Sequence, residues 1–87
     1  LVSNLGETDY SVINGNFAQE GGLAPSRDGL AVESPDNNPS VNVLVWKTSV
    51  SGDKAEAVKK LDELLHSDQV KKYIEDTWKD GSVIPAF

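Results

Sequence analysis

The stretch DYSVINGNFAQEGG, residues 9–22, joins a strand-like pattern directly to a helix-like pattern. Residues 9–13 carry bulky side chains on both alternating faces, which favours an interior β-strand. Asn14-Gly15 is the strongest two-residue hairpin signal when a second strand follows. The residues that do follow are instead typical of a short helix with Asn16 as its N-cap. The pattern therefore favours a strand followed by a helix over a plain hairpin.

Two further segments have the composition of β-strands. Residues 30–33 form a short strand pattern, and residues 41–47 have the β-branched and aromatic content of a buried strand that one polar residue, Asn42, interrupts. Between them, residues 34–40 are rich in turn-forming residues and predict an exposed loop. Residues 23–29 are interpreted as a connector. Three strands are therefore expected in the chain.

Two amphipathic helices are predicted in the C-terminal half. Apolar side chains recur at helical spacing through residues 55–65 and again through residues 70–78, with charged residues between them. Ser67 is a typical N-cap for the second helix. Asp53 and Glu56 resemble a capping box at the start of the first helix.

The order of these elements indicates an α/β or α+β layer structure. Three strands with most of the helices at the C-terminal end leave sheet edges unpaired, and proteins normally cover or charge such edges. The apolar tail, residues 82–87, is expected to pack back on the domain. Because the chain also begins in the middle of a pattern, without Met or a signal-peptide pattern, we expect it to be a piece of a longer protein.

Composition argues against several classes of function. Eight basic and fourteen acidic residues give a net charge of −6, whereas a nucleic-acid surface needs clustered Lys and Arg. The chain has no cysteine, which excludes disulfides, thiolate nucleophiles and zinc sites built on Cys. The longest apolar run, residues 43–46, is far shorter than the roughly 20 residues of a membrane span.

No constellation of residues points to catalysis, a cofactor or a metal ion. His66 is the only histidine and is expected to be a surface residue or the C-cap of the first amphipathic helix. The adjacent acidic pairs on the helices point in diverging directions and are interpreted as solvated faces. The glycines form no phosphate-binding motif. Trp46 and Trp78 are expected in the core rather than stacked on a ligand, so we expect no enzymatic activity.

Asn14 and Asn42 lie where burial is costly, since an unpaired polar group loses about 1–3 kcal/mol. An Asn side chain has one acceptor group and two donors, so it binds both the ammonium and the carboxylate of a zwitterion without adding charge. The alternative, which composition alone favours, is that both residues cap backbone groups at turns.

Three segments of the chain resemble a known family. They are DYSVINGNFAQEGGLAPSRDGLAVE, SVNVLVWK and SDQVKKYIEDTWKDGSVIPAF, and in this order they resemble the C-terminal part of the NlpA/MetQ lipoproteins, the methionine-binding components of bacterial ABC importers. The resemblance is most specific at residues 12–18 and 83–87. It implies an α/β chain that is part of a type II periplasmic-binding-protein fold. Residues 1–16 then form the crossover strand at the hinge, and residues 17–87 form the C-terminal part of one lobe.

The resemblance also implies a ligand site in the cleft between two lobes. Asn14 matches the asparagine that contacts the bound amino acid, Asn42 is placed for a second polar contact, and Asn16 lies beside the site although a helix N-cap is its favoured role. The carboxylate-binding arginine and the aromatic pocket of the family lie upstream, and Arg27 does not match them. The implied ligand is L-methionine, a related amino acid or a Met-containing peptide.

The implied partners are an ABC permease and its ATPase, with no nucleic acid. The implied location is extracytoplasmic, with the membrane reached only through a lipid anchor outside this chain. The alternative from another class is a stand-alone α/β interaction module, in which helices over residues 53–65 and 67–80 form a protein-binding face.

Overall fold

The computed structural model describes all 87 residues and consists of helices joined by irregular segments. The elements are a 3₁₀ helix at Val2–Asn4, α1 at Gly15–Glu20, α2 at Pro25–Asp28, α3 at Gly52–Leu65 and α4 at Asp68–Thr77. The short helix and the two amphipathic helices are confirmed as α1, α3 and α4. The interpretation of residues 23–29 as a connector is wrong in part, because α2 forms there. Proline is the first residue of this helix, where its missing N–H costs no hydrogen bond.

The two long helices begin differently. Ser67 caps α4 as predicted, since its hydroxyl accepts a hydrogen bond from the backbone N–H of Val70 at 3.3 Å. The predicted capping box of α3 is wrong, because the N-cap is Ser51, whose side chain makes no capping bond, and Asp53 already lies within the first turn. At that position the Asp53 carboxylate still favours the helix through the positive end of the helix dipole.

The chain turns between α3 and α4 at His66, which is the C-cap of α3 as expected. Its imidazole Nδ1 lies 2.8 Å from the carbonyl oxygen of Asp62. The ring of Phe87, at the end of the tail, packs edge-on against the imidazole with 5.3 Å between the ring centroids. The end of the tail therefore packs back on the α3–α4 joint, as predicted.

The three predicted strands do not form, because no residue takes part in a β-bridge. We call residues 9–13, 30–33 and 41–47 the strand-like segments. No backbone hydrogen bond joins any of them to another, and a β-strand exists only where a neighbouring strand supplies the other half of the hydrogen-bond ladder. The chain is thus helical, and the expected sheet is not seen within it.

The apolar side chains of these segments face outward. Val12 is 94% exposed, Leu30 88% and Val45 79%, and Ala18 is the only buried residue of the chain. The radius of gyration is 16.7 Å, against about 12 Å for a compact domain of this length. The 35 backbone–backbone hydrogen bonds compare with roughly 60 expected for such a domain. The 87 residues therefore do not bury a core among themselves.

The two tryptophans differ from their expected place in a core. Trp46 is 44% exposed, because the segment that carries it has no covering layer. Trp78 is half-buried at the end of α4, where its ring meets that of Tyr73 edge-on at 6.0 Å. The acidic pairs on the helices are solvated as expected, and Asp76, for example, forms an exposed ion pair with Lys72 at 2.8 Å.

Candidate functional site

Asn14 ends the first strand-like segment and is the N-cap of α1. Its backbone is extended (φ −63°, ψ 145°), and its carbonyl oxygen accepts the hydrogen bond of the Ala18 N–H at 3.0 Å. The side chain is exposed and makes no capping hydrogen bond. An Asn at this position normally caps the helix with its side chain, so here the amide keeps its donors and acceptor available to another group.

Asn16 is not the N-cap of α1, and that prediction is wrong. The helix begins at Gly15, two residues before the predicted start at Phe17, so Asn16 is its second residue. Its side chain is exposed. The cause lies in the backbone: Asn14 is extended whereas Gly15 is already helical, which places the cap at the first asparagine of the pair.

Asn42 lies in the strand-like segment of residues 41–47, away from any helix. It is exposed, as is Val43 beside it. Asn42 is therefore not a polar residue within a buried strand, as the sequence had indicated. Asn14 and Asn16 are brought together by the start of α1. No hydrogen bond of the backbone joins the segment of Asn42 to them.

Gly15 packs against the backbone of Ser82, in the turn after α4. A Cβ at position 15 would overlap the carbonyl oxygen of Ser82 and lie 3.2 Å from its carbonyl carbon. These are backbone atoms, which cannot rotate away as the end of a long side chain can. The sequence marks Gly15 only as a turn former, and its close contact with a residue near the other end of the chain has no local signal.

The turn that contains Ser82 is held by Asp80. The Asp80 Oδ1 atom accepts hydrogen bonds from the hydroxyl of Ser82 at 2.7 Å and from its backbone N–H at 3.0 Å. These bonds favour the charged carboxylate and lower the pKa of Asp80 below its ordinary value. The carbonyl oxygen of Asp80 also accepts a hydrogen bond from the backbone N–H of Ser26 at 3.0 Å, which ties the turn to α2.

Arg27 is engaged within its own part of the chain. Its Nη2 atom lies 2.7 Å from a carboxylate oxygen of Asp28 and donates to the carbonyl oxygen of Gly22 at 3.1 Å. The bond from Arg27, and then the bond from the backbone N–H of Ala24, lower the pKa of Asp28. Arg27 thus joins α2 to the loop before it.

Two open clefts lie away from the asparagines. One, of about 470 Å³, lies between the N-terminal residues and α1, with Val2, Phe17 and Gly21 in its wall. The other, of about 440 Å³, lies between α4 and the tail, with Trp78 and Ile84 in its wall. No group of His, Asp and Glu side chains is placed to hold a metal ion. None of the helices has both the length and the apolar character needed to cross a bilayer.

The family model described as NlpA lipoprotein matches residues 1–87, the whole chain. Among curated proteins, the membrane lipoprotein TpN32 of Treponema pallidum is 43% identical over 81 residues. The methionine-binding lipoprotein MetQ of Bacillus subtilis is 39% identical over 80 residues, and the D-methionine-binding lipoprotein MetQ of Escherichia coli K12 is 36% identical over 73 residues.

The similarity covers most of this chain and a small part of each relative. It takes in 92%, 91% and 84% of this chain, but 29%, 28% and 26% of the three relatives. A lipoprotein from Actinomyces odontolyticus, known from a crystal structure, is 64% identical with a TM-score of 0.78, over 100% of this chain and 36% of that one. The chain thus spans less than a third of the length of these curated relatives.

Proposed function

Because this chain belongs to the NlpA lipoprotein family, we propose that it is the C-terminal part of a substrate-binding protein that delivers an amino acid to an ABC importer. The family is one of binding lipoproteins, and the resemblance found in the three sequence segments is confirmed by the match over all 87 residues. The proposal goes beyond the family match in two respects, which are the role in import and the location of a ligand site within this chain. The observation that carries the proposal is the set of relatives named for binding methionine.

The ligand we propose is methionine, a related amino acid or a Met-containing peptide. Two of the relatives described above are named for binding methionine or D-methionine. Both names describe a zwitterion with a neutral side chain, and the neutral amide of Asn14 suits such a ligand because it offers hydrogen bonds of both kinds. Asn42 and Asn16 are the further contacts in this proposal.

The fold we propose is the two-lobed type II periplasmic-binding-protein fold, with residues 1–16 as the crossover region and residues 17–87 as the C-terminal part of one lobe. Two observations support it. The strand-like segments carry exposed apolar side chains and make no backbone hydrogen bonds with one another, as strands do when the rest of their sheet is supplied by other residues. The whole chain also superposes on a solved lipoprotein of nearly three times its length.

The partners that we propose are an ABC permease and its ATPase. We also propose that the chain has no enzymatic activity. We place the protein outside the cytoplasm, anchored to the membrane through a lipid that lies outside these residues. TpN32 is named a membrane lipoprotein and MetQ of Bacillus subtilis a lipoprotein, which supports the placement. The stand-alone interaction module is the weaker proposal, because the family match extends over both of the helices on which it depends.

The test uses a hybrid lipoprotein, in which these 87 residues replace the matching segment of the Actinomyces lipoprotein. At 64% identity over the whole chain, most of the contacts with the host are kept. Isothermal titration with L-methionine, D-methionine, other amino acids and Met-containing dipeptides should show binding of at least one of them. The unmodified host is titrated in parallel. A folded hybrid that binds none of these ligands contradicts the proposed function.

A further inference from the structure

The turn after α4 touches the beginnings of both N-terminal helices. The carbonyl oxygen of Ser82 faces Gly15, the first residue of α1. The carbonyl oxygen of Asp80 accepts the hydrogen bond of Ser26, in the first turn of α2. No pair of helices in this open chain packs extensively. The turn at residues 80–82 therefore supports the start of α1 by direct backbone contact rather than through helix packing.

The turn is itself well defined. Asp80 binds both the hydroxyl and the backbone N–H of Ser82, and all three of these groups are partly buried. Because one carboxylate oxygen accepts both bonds, the backbone N–H and the side chain of Ser82 are held in the turn. Gly15 meets that carbonyl without a side chain between them, so the distance between the two backbones is set by direct contact.

The backbone at this contact sets the position from which the Asn14 side chain starts. Its amide makes no bond with the helix that it caps, so within the chain only the backbone at residues 14 and 15 places it. That backbone changes from extended to helical at Gly15, at the point where Ser82 touches it. A shift of α1 away from the turn would turn the Asn14 side chain without breaking any bond of its own.

We propose that Gly15 and the Asp80–Ser82 turn are positioning elements for the ligand contact of Asn14. This inference rests on the proposed function, since it concerns the same site. Neither Gly15 nor Ser82 is a ligand contact in it. The close approach of their backbones fixes the start of α1, and Asn14 presents its amide from there. Only glycine at position 15 permits the approach.

A double-mutant cycle on ligand affinity in the hybrid lipoprotein tests the inference. Gly15→Ala should weaken the binding of the ligand found by titration about tenfold while Asn14 is present. In the Asn14→Ala background the same change should weaken binding by less than about twofold, because the contact that it displaces is already gone. A residue that acted only on folding would lower affinity equally in both backgrounds.

Gly6→Ala is the matched control. A Cβ at Gly6 meets no atom within 4 Å, so the affinity should stay that of the parent. Asp80→Ala is the second variant, for the case in which the added methyl group at position 15 prevents folding. It loosens the turn without adding bulk, and it should also weaken binding only while Asn14 is present.

The outcomes separate this inference from the function on which it rests. Equal losses in the two backgrounds, or unchanged affinity in both Gly15→Ala and Asp80→Ala, overturn the positioning role and leave the proposed function standing. A parent hybrid that binds no amino acid overturns the proposed function itself. If the parent hybrid binds an amino acid and Asn14→Ala leaves its affinity unchanged, both the assignment of Asn14 to the site and the positioning role are wrong.

Discussion

The ring of Phe87 packs edge-on against the imidazole of His66, with 5.3 Å between the centroids and 62° between the planes. This contact fastens the tail to the joint between α3 and α4. Edge-to-face pairs of rings contribute about 0.5–1.5 kcal/mol beyond the area that they bury. Both residues are more than one-third exposed, so the lower end of that range applies here.

Phe87→Leu should release the tail from His66. The ring current of Phe87 is lost while most of the apolar volume stays, so the imidazole proton chemical shifts of His66 should move toward those of a free peptide. One-dimensional NMR of the 87-residue chain measures this directly. Val83→Ala is the control, since it leaves the terminal ring in place. Unchanged His66 shifts in Phe87→Leu would show that the two rings are not in contact.

Asn14→Ala should weaken ligand binding in the hybrid lipoprotein by about tenfold to a few hundredfold, because hydrogen bonds to charged groups contribute roughly 1.5–3 kcal/mol each. The melting temperature without ligand should hardly change, since the side chain caps nothing. Gln19→Ala is the control, since it is an exposed position of α1 outside the proposed site; it should leave affinity unchanged and change stability by less than about 0.5 kcal/mol. A stable Asn14→Ala protein with parental affinity would remove Asn14 from the site.

Ser67→Ala should destabilise α4, because the hydroxyl of Ser67 satisfies the N–H of Val70 at the first turn. The expected loss is about 1 kcal/mol in the free energy of unfolding. Urea denaturation of the hybrid, followed by far-ultraviolet circular dichroism, measures it. Ser51→Ala is the matched control at the start of α3, where the side chain makes no capping bond. Equal losses in the two variants would contradict the difference between the two caps.

Asp80 should make the hybrid sensitive to acid. Its pKa is lower in the folded chain because Ser82 bonds to the carboxylate, so its contribution to stability is present above the ordinary pKa of about 3.9. That contribution is lost as the pH falls through the lower folded value. In Asp80→Asn the side chain at position 80 no longer titrates. The urea midpoint of this variant should therefore fall less steeply than that of the parent hybrid as the pH is lowered. If the urea midpoints of the two proteins fall in parallel with pH, the hydrogen bonds between the Asp80 carboxylate and Ser82 do not stabilise the fold.

Val45→Ser should have different effects in two settings. In the 87-residue chain Val45 is 79% exposed, so the change should leave the circular dichroism spectrum and thermal transition as they are. In the hybrid, where the proposed sheet covers this segment, burial of valine contributes about 1.5–3 kcal/mol, and the unfolding free energy should fall by a similar amount. Thr48→Ala, at an exposed position nearby, is the control. No loss in the hybrid would place residues 41–47 outside the sheet.

The helices of this chain follow from local rules, and the sequence predicts them well. The spacing of apolar residues through α3 and α4 is visible in any window of a dozen residues, and the hydroxyl of Ser67 acts within one turn. The start of α1 lies two residues before the predicted one, because Asn14 and Asn16 are both good caps by type. What decides between them is the backbone at Gly15, which no local pattern specifies.

The prediction of three strands is wrong for this chain, because a strand forms only beside a partner strand. Residues 41–47 have the composition of a strand, but within these 87 residues nothing pairs with them. The contact between Gly15 and Ser82 was missed for a related reason, since it joins residues that are distant in sequence. The exclusion of Arg27 from the candidate site stays a prediction. The placement of Asn14, Asn16 and Asn42 in a ligand site stays a prediction.

The contact between Gly15 and Ser82 also bears on the order in which the chain folds. It closes a long loop, from residue 15 to residue 82, and the entropy of closing a loop must be lost before a distant contact is gained. Helices such as α3 and α4 form on their own within about a microsecond, so this contact belongs to the last stage of folding. A late contact affects mainly the rate of unfolding. If this contact positions Asn14 as proposed, we expect ligand bound at Asn14 to slow the opening of the contact during unfolding.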